Sequence, residues 1–425
     1  MQNHFNLHKA LHFLVCSIII SCQNGKQHAK ITDVSNELLC KIIGHLYDEE
    51  DMQSSRFVNR RFKNVTEDVV RSQYKTAHKP YEINGSSQAL FRKGLSYVKK
   101  FGIQHVRYRG PMDRYRIRSL IRLADLLNRD DRPLLSLHLL NQNRDPVNKL
   151  DLDSLNIGDA LNSFLSILSD DTKNNLRELN LRGNQLTAIP GLENLTQLQK
   201  LDISNNQLTD ITGLEKLTQL ENLYLSYNQL TDITELENLT KLKELLIHEN
   251  QLTDITGLEK LTQLRLLLLF SNQLTDITGL KNLTQLENLY LSYNQLTDIT
   301  GLEKLTQLQK LDIGHNRLTD ITGLEKLTQL EDLNLNHNQL TDITGLEKLT
   351  QLRRLDLSHN QLTDITGLEK LTQLKDLDLS HNQLTDITGL EKLTQLIWLY
   401  LTGNLININN KEIAELRNRG VNVSY

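Results

Sequence analysis

The chain has 425 residues, with 52 acidic against 48 basic side chains and a formal net charge of −4. No block of like charge exists, so the composition argues against nucleic acid or an anionic membrane surface as a partner. The three cysteines, Cys16, Cys22 and Cys40, all lie near the start; no disulfide framework supports the rest of the chain, and a reducing compartment is compatible with it.

The chain opens on an apolar stretch, Leu11 to Ser21, preceded by Lys9. About ten apolar residues are too few to span a bilayer and suit a secretion signal, so residues 1–24 are read as a hydrophobic leader. Its end, Ile19-Ile20-Ser21-Cys22, resembles a bacterial lipobox. That resemblance implies a lipid on Cys22 and membrane attachment through this residue alone.

Residues 25–75 differ in kind. Leu38, Leu39, Ile42, Ile43 and Leu46 recur at helical spacing, followed by Met52, Phe57, Val58 and Phe62 on further short helices. About 40 residues bury little by themselves, so this head is expected to lean on a neighbour or a partner. The stretch resembles an F-box, in its acidic-Leu-Leu opening and its VNRRFKNV ending, although Val34-Ser35 stands where that family has Leu-Pro. The resemblance implies docking to the Skp-type adaptor of a cullin-RING ubiquitin ligase, carried by Leu38, Leu39, Ile42, Ile43 and Leu46.

Between residues 76 and 175 the pattern is irregular. Val106 to Tyr108 and Leu137 to Leu139 read as short strands, with helices expected at Arg116 to Asn128 and Ser154 to Ser169. Longer repeats with helical backs, beginning near residue 95, would look like this.

From residue 176 to 404 the chain is periodic. An asparagine returns every 22 residues, at Asn184, Asn206, Asn228, Asn250, Asn272, Asn294, Asn316, Asn338, Asn360, Asn382 and Asn404. A period of this length predicts a stacked solenoid. In the copy LQKLDISNNQLTDITGLEKLTQ (198–219), period-two spacing sends Leu201 and Ile203 inward and Lys200, Asp202 and Ser204 outward. Asn206 sits where the chain leaves the strand, and a buried amide there can satisfy backbone groups that no ladder reaches. Leu208, Ile211, Leu214 and Leu217 point inward from the returning arm, and Asp210 and Gly213 bracket a tight turn whose free amides the carboxylate can cap.

The pattern LxxLxLxxNxL is that of leucine-rich repeats, and LTDITGLEKLTQL resembles the 22-residue class of internalin-like bacterial proteins. The family implies an α/β fold: a right-handed solenoid with a curved parallel sheet on its concave face, here behind a small helical F-box-like head. At about 4.8 Å per strand, eleven coils give a sheet roughly 50 Å wide, enough to grip a folded protein.

The copies control one another. Thr209, Asp210, Glu215, Lys216 and Thr218 on the return arm hardly change, whereas the outward strand positions and the residue before each asparagine differ, as in Lys200, Asp202, Ser204 and Asn205 against Asn222, Tyr224, Ser226 and Tyr227. The concave face is individualised, as expected of a surface that selects a protein target. Tyr224, Tyr227, Leu246, Leu266, Leu268, Phe270, Tyr290 and Tyr293 form an expected apolar and aromatic hot spot. Beyond it Asp312, Asp332, Asp356, Asp376 and Asp378 interleave with His315, His337, His359 and His381, with Arg353 and Arg354 interrupting and Trp398 and Tyr400 closing the run. Stacked histidines beside carboxylates titrate near neutral pH or hold a metal, but a solvated edge residue copied by duplication is the simpler reading, and no metal is assigned.

Residues 405–425 are expected to cap the stack, with Ile413 and Leu416 on one helical face of Lys411 to Arg419, Gly420 as the stop, and Val421 and Val423 in a last strand. No phosphate loop, paired carboxylates in a cleft, or nucleophile with a base appears, so a non-enzyme without cofactors is expected. Two rival functions share the binding face: a protein delivered to a host cytosol that recruits ubiquitin machinery to a target, and an internalin-like adhesin or lipoprotein held on an envelope through Cys22.

Overall fold

The computed structural model describes residues 81–84, 88, 92, 94–95, 105–109, 113–129, 136–141, 143, 145–407 and 411–425, all within the unit His78–Tyr425. The leader with Cys22 and the F-box-like segment with Leu38, Leu39, Ile42, Ile43 and Leu46 lie outside the described residues.

A parallel three-stranded sheet comes first, formed by β1 (Tyr81–Asn84), β2 (His105–Arg109) and β3 (Ser136–Leu140). Helix α1 (Arg114–Arg129) joins the last two. It starts where Asp113 accepts the Arg116 amide at 3.0 Å, and it buries Ile117, Leu120, Ile121 and Ala124, one stripe at helical spacing. The parallel ladder thus reaches back to Tyr81, earlier than the expected start near residue 95. It then breaks: β4 (Lys149–Asp151) begins a second sheet, while isolated bridges join Leu137 to Leu168 and Leu140 to Pro146.

The second sheet is the body of the solenoid. Thirteen parallel strands run in chain order from β4 to β16 (Asn422–Ser424). From Glu178 to Tyr400 each is three residues long and returns every 22 residues. Pairing keeps the repeats in phase: Leu201 lies opposite Leu179 on one side and Leu223 on the other. A single coil cannot cover its leucines, so each is sealed by its neighbours, and Leu201, Ile203, Leu208, Ile211, Leu214 and Leu217 are all fully buried. The coils stack as a right-handed leucine-rich-repeat solenoid with the strands on the concave face.

The asparagines do what the strand exits require. Asn228 Oδ1 accepts the Leu208 amide at 3.1 Å from the previous coil, while its Nδ2 donates to Ile203 O at 3.1 Å and Leu225 O at 2.9 Å. Asn206 through Asn404 repeat this bonding. At the first coil Asn184 Oδ1 accepts from Leu155 and Ile157 instead, with Ser154 and Asn156 in left-handed backbone. That clamp explains why the helix expected from Ser154 begins only at α2 (Ala160–Ile167). A separate turn, α3 (Asp170–Asn175), follows, capped by Ser169.

On the return arm Asp210 Oδ1 accepts from both the amide (2.8 Å) and the hydroxyl (2.7 Å) of Thr212, and Glu215 Oε2 accepts the Gly213 amide at 2.7 Å. The same pair of turns recurs as far as Asp386 and Glu391, except where Glu235 replaces the glycine or Lys281 the glutamate and a longer 3-10 segment forms instead. The constancy of Asp210 and Glu215 therefore has a structural cause; they are not idle wet positions. At the C-terminal end α4 (Lys411–Asn418) buries Ile413 and Leu416, Gly420 turns at φ 88°, Val421 is buried, and β16 pairs with Trp398–Tyr400.

Candidate functional site

The third residue of each strand faces the concave side, and strand register places these residues in one column: past the polar Asp151, Asn180 and Asp202 comes the stretch Tyr224, Leu246, Leu268, Tyr290, Asp312, Asn334, Asp356, Asp378 and Tyr400. The first half is apolar and the second acidic, with an abrupt change between Tyr290 and Asp312. Leu266, in the first strand position, widens the apolar half.

Most of this hot spot is half-buried rather than free. Tyr224 donates its hydroxyl to Glu244 Oε2 at 2.9 Å, and the Lys200 ammonium lies 4.9 Å from its ring centroid. Burial, reinforced by the Glu244 carboxylate, pushes its phenol up to about 12. Tyr224 is thus held inside the protein's own network. The outward anchors are Tyr227 and Tyr293, 49% and 55% exposed. Phe270 is half-buried and stacks on His248 at 4.2 Å, and His248 in turn meets Tyr227 edge-on at 5.3 Å. His248 is a member of this cluster that the sequence reading missed; its signal was its place at the position where the preceding copies carry Ser204 and Ser226. Those serines are a correction too. Ser204 was expected to face water, but its hydroxyl turns back onto Asp202 Oδ1 at 2.5 Å and it is only 8% exposed.

In the acidic half a hollow of about 440 Å³ opens between Tyr290 and Tyr400. Asp312, Asp332, Asp356, Asp376 and Asp378 line it, against Lys310 and Arg354. Several of these carboxylates also close the strand exit. Asp356 accepts from the amide and hydroxyl of Ser358 at 2.9 and 2.6 Å, Asp378 does the same with Ser380, and Asp312 accepts from the Gly314 amide and the Ser292 hydroxyl. Burial raises the carboxyls of Asp312 and Asp376 above the usual range. For Asp376 the nearby Arg354, 3.7 Å away, opposes that shift. Arg353 points to the sheet edge, where it pairs with Glu331 at 3.4 Å. Trp398 and Tyr400, 46% and 36% exposed, stand at the far end.

The residue before each asparagine lies in left-handed backbone: Asn205, Tyr227, Glu249, Ser271, Tyr293, His315, His337, His359 and His381 have φ between 49° and 57°. Such a φ is uncommon for non-glycine residues and is imposed here by the asparagine ladder on either side. Burial, then the adjacent imidazoles, lowers the titration of His337 and His359. The rings lie face to face, and among the described residues no three donor side chains form a cluster able to hold a metal.

With this geometry in hand, a family model described as "Leucine Rich repeats (2 copies)" matches residues 174–216, 218–260, 262–304, 306–348, 328–370 and 350–392. No curated protein matches the sequence. Among solved structures, an internalin from Listeria monocytogenes shares 33% identity over 65% of this chain and 86% of its own, at a TM-score of 0.60. A leucine-rich repeat protein from Leptospira interrogans shares 25% identity over 82% of this chain and 100% of its own, at 0.59. The Arabidopsis receptor kinase HAESA ectodomain, described in complex with a peptide hormone ligand, shares 26% identity over 60% of this chain and 46% of its own, at 0.51. Leucine-rich repeat proteins are protein-binding modules, and by the matches across 174–392 this chain belongs to the leucine-rich repeat family.

Proposed function

We propose that the concave face binds a polypeptide along the strand column, apolar side chains over Leu246, Leu268 and Tyr290 and lysine or arginine side chains in the acidic hollow beyond. The observation that carries this reading is the register itself, which sets four apolar or aromatic residues on consecutive strands and then Asp312, Asn334, Asp356 and Asp378 on the next four, on one open face. Tyr227, Phe270 and Tyr293 flank the apolar half and Trp398 closes the acidic one, as rigid aromatic anchors that cost little entropy to engage. The HAESA ectodomain, whose structure is described with a peptide ligand, and the internalin support a protein or peptide partner over a small molecule.

A peptide array of mixed sequences probed with the full chain tests this. Retained peptides should combine an apolar segment with lysine or arginine, and Asp356→Asn with Asp378→Asn should weaken those peptides at least tenfold. Retention indifferent to basic residues, or unchanged in the double variant, overturns it.

The head adds a second expected partner. By its F-box resemblance, residues 25–75 recruit a Skp-type adaptor, and the full chain should retain one in a pull-down that Leu39→Asp with Ile43→Asp abolishes. In the rival internalin-like use, a lipid on Cys22 holds the same binding face on an envelope; a mature chain starting at an acylated Cys22 in mass spectrometry would favour it.

A further inference from the structure

The histidines beside the acidic hollow form one continuous stack. His315, His337, His359 and His381 have ring centroids 4.0, 3.9 and 4.2 Å apart and planes within 10–17° of parallel. Tyr293 continues the stack at 4.0 Å. At the other end Gly403 lies so close to His381 that a Cβ there would come within 2.6 Å of Nδ1. Strands are spaced about 4.8 Å apart, so the repeat itself brings successive rings within stacking distance. Neutral imidazoles gain from such stacking. Imidazolium ions do not, because like charges at this separation repel strongly and the repulsion grows with each proton added.

The charged groups that these rings face are one another and the carboxylates of Asp356 and Asp378, with the Tyr293 phenol ring at one end. At this stacking distance, each proton taken up opposes the next on a neighbouring ring. Those two carboxylates, Asp356 and Asp378, also line the hollow, where five aspartates outnumber two cations.

We propose that the four stacked imidazoles form a proton-operated switch on the charge of the concave face. Above the histidine range the column is neutral and closed, and the hollow stays negative. Below it, protons enter first at rings that are not adjacent; the stack then parts, and up to four positive charges stand beside the carboxylates that would hold a cationic segment. The consequence for binding rests on the cationic partner proposed above, whereas the switch itself does not.

Two measurements on the full chain separate the two. The first follows the four imidazole Cε1–H signals by NMR against pH, in the native protein and in His337→Asn. Asparagine suits the left-handed backbone there, since Asn205 occupies the equivalent place at φ 55°. The titrations should be broader than single-site curves, spread over more than one pH unit, and that of His359 should shift upward when His337 is replaced. Four independent curves at the ordinary histidine value, unmoved by the substitution, would overturn the switch. The second measures a hexa-arginine peptide at pH 7.5 and 5.5, against the native chain and a variant with all four histidines replaced by asparagine. The native chain should lose at least tenfold more affinity in acid than the variant, which also controls for protonation of Asp312 and Asp376. Equal losses overturn the switch. No binding at either pH overturns the cationic-partner reading, and the NMR titrations alone then decide the switch.

Discussion

Within one coil, the strand at Lys200–Asp202 and the return turn at Asp210–Glu215 both meet water, yet the copies vary in one and hardly at all in the other. The turn's polar side chains are committed: Asp210 holds Thr212 and Glu215 holds the Gly213 amide. In the strand, backbone pairing is complete without the first side chain, so that position carries Lys200, Asn222, Glu244 or Leu266 with equal structural ease; the third is equally free of backbone bonding where it is Tyr224, Leu246 or Leu268, but Asp202, Asp312, Asp356 and Asp378 there accept the amide two residues on. Exposure is therefore a poor guide to freedom. What frees a position is the absence of any backbone group that its side chain must satisfy.

The largest expected effect tests the inner side of that contrast. Asn294→Ala leaves the buried Leu274 amide without its acceptor and thins the bonding of the Leu269 and Leu291 carbonyls, which keep only Asn272 and Asn316 as side-chain donors. Unmet groups of this kind cost about 3 kcal/mol. Leu269→Ala, truncating a fully buried side chain, should cost a similar amount, about 3 kcal/mol. In a one-dimensional stack the damage stays with the neighbouring coils, so hydrogen exchange should show loss of protection concentrated around residues 265–300. Uniform loss along the array would contradict independent coils.

A smaller effect divides the return arm itself. Glu235 stands where most copies carry glycine, and the turn before it becomes a longer 3-10 segment, Thr234–Asn238. Its carbonyl at Ile233 then lies 2.5 Å from where a Cβ on Gly257 would sit, with the Thr234 backbone also close. Gly213 has only the Glu193 side chain near, at 3.6 Å, and the same left-handed backbone. Gly213→Ala should thus cost about 1 kcal/mol for the backbone alone, and Gly257→Ala about 2 kcal/mol because backbone must also move. Equal urea midpoints for the two variants would refute the role given to the Ile233 carbonyl.

Much of this molecule was legible as sequence because one rule repeats. The position of every strand from Glu178 to Tyr400, the inward leucines and the asparagine ladder follow from a period that tolerates no slip. The illegible parts are those the period does not govern. The strand at Tyr81–Asn84 belongs to coils of unequal length, where no spacing recurs. The left-handed backbone before each asparagine is hidden because asparagine, tyrosine, glutamate, serine and histidine share no turn signature; the ladder imposes that conformation whatever the side chain. Ser204 looked solvated because alternation assigns a face, not a depth. The candidate face was legible as a set of varied positions, but not which members are free: only contacts reveal that Tyr224 is tied to Glu244 and Lys200, or that His248 completes the cluster around Phe270.

On the varied side the effect should fall on binding rather than folding. Phe270→Ala with Tyr293→Ala removes a half-buried ring and one that is 55% exposed, so stability should drop by about 1 kcal/mol. Affinity for array-selected peptides should fall at least tenfold by isothermal calorimetry, as hot-spot truncations do. Replacing Tyr224 should affect the fold more and binding less than either, since Glu244 loses its donor. Unchanged affinity in the double variant would mean that the aromatic cluster is packing.

The smallest effect is electrostatic, and its sign differs between the two regions. Hydrogen bonds from the Thr322 hydroxyl and amide hold the Asp320 carboxyl below the carboxylate range, and those from Thr344 and Thr366 do the same for Asp342 and Asp364. A carboxyl depressed in the folded state stabilises it fully above the unfolded value, near 4, and loses that contribution as pH falls through the folded one. Burial raises Asp312 instead, so its ionised form is penalised at neutral pH and acid relieves the penalty. Asp312→Asn should accordingly leave urea stability at pH 7 unchanged or higher by about 0.5 kcal/mol, and should remove part of whatever stability the native chain recovers near pH 4. Asp320→Ala should lower stability at pH 7 by about 1 kcal/mol, the usual worth of a capping carboxylate, with the difference shrinking toward pH 3. If both variants shift in the same direction at pH 7, the concave carboxylates are structural caps like those of the return arm, and the varied face is less free of the fold than its diversity suggests.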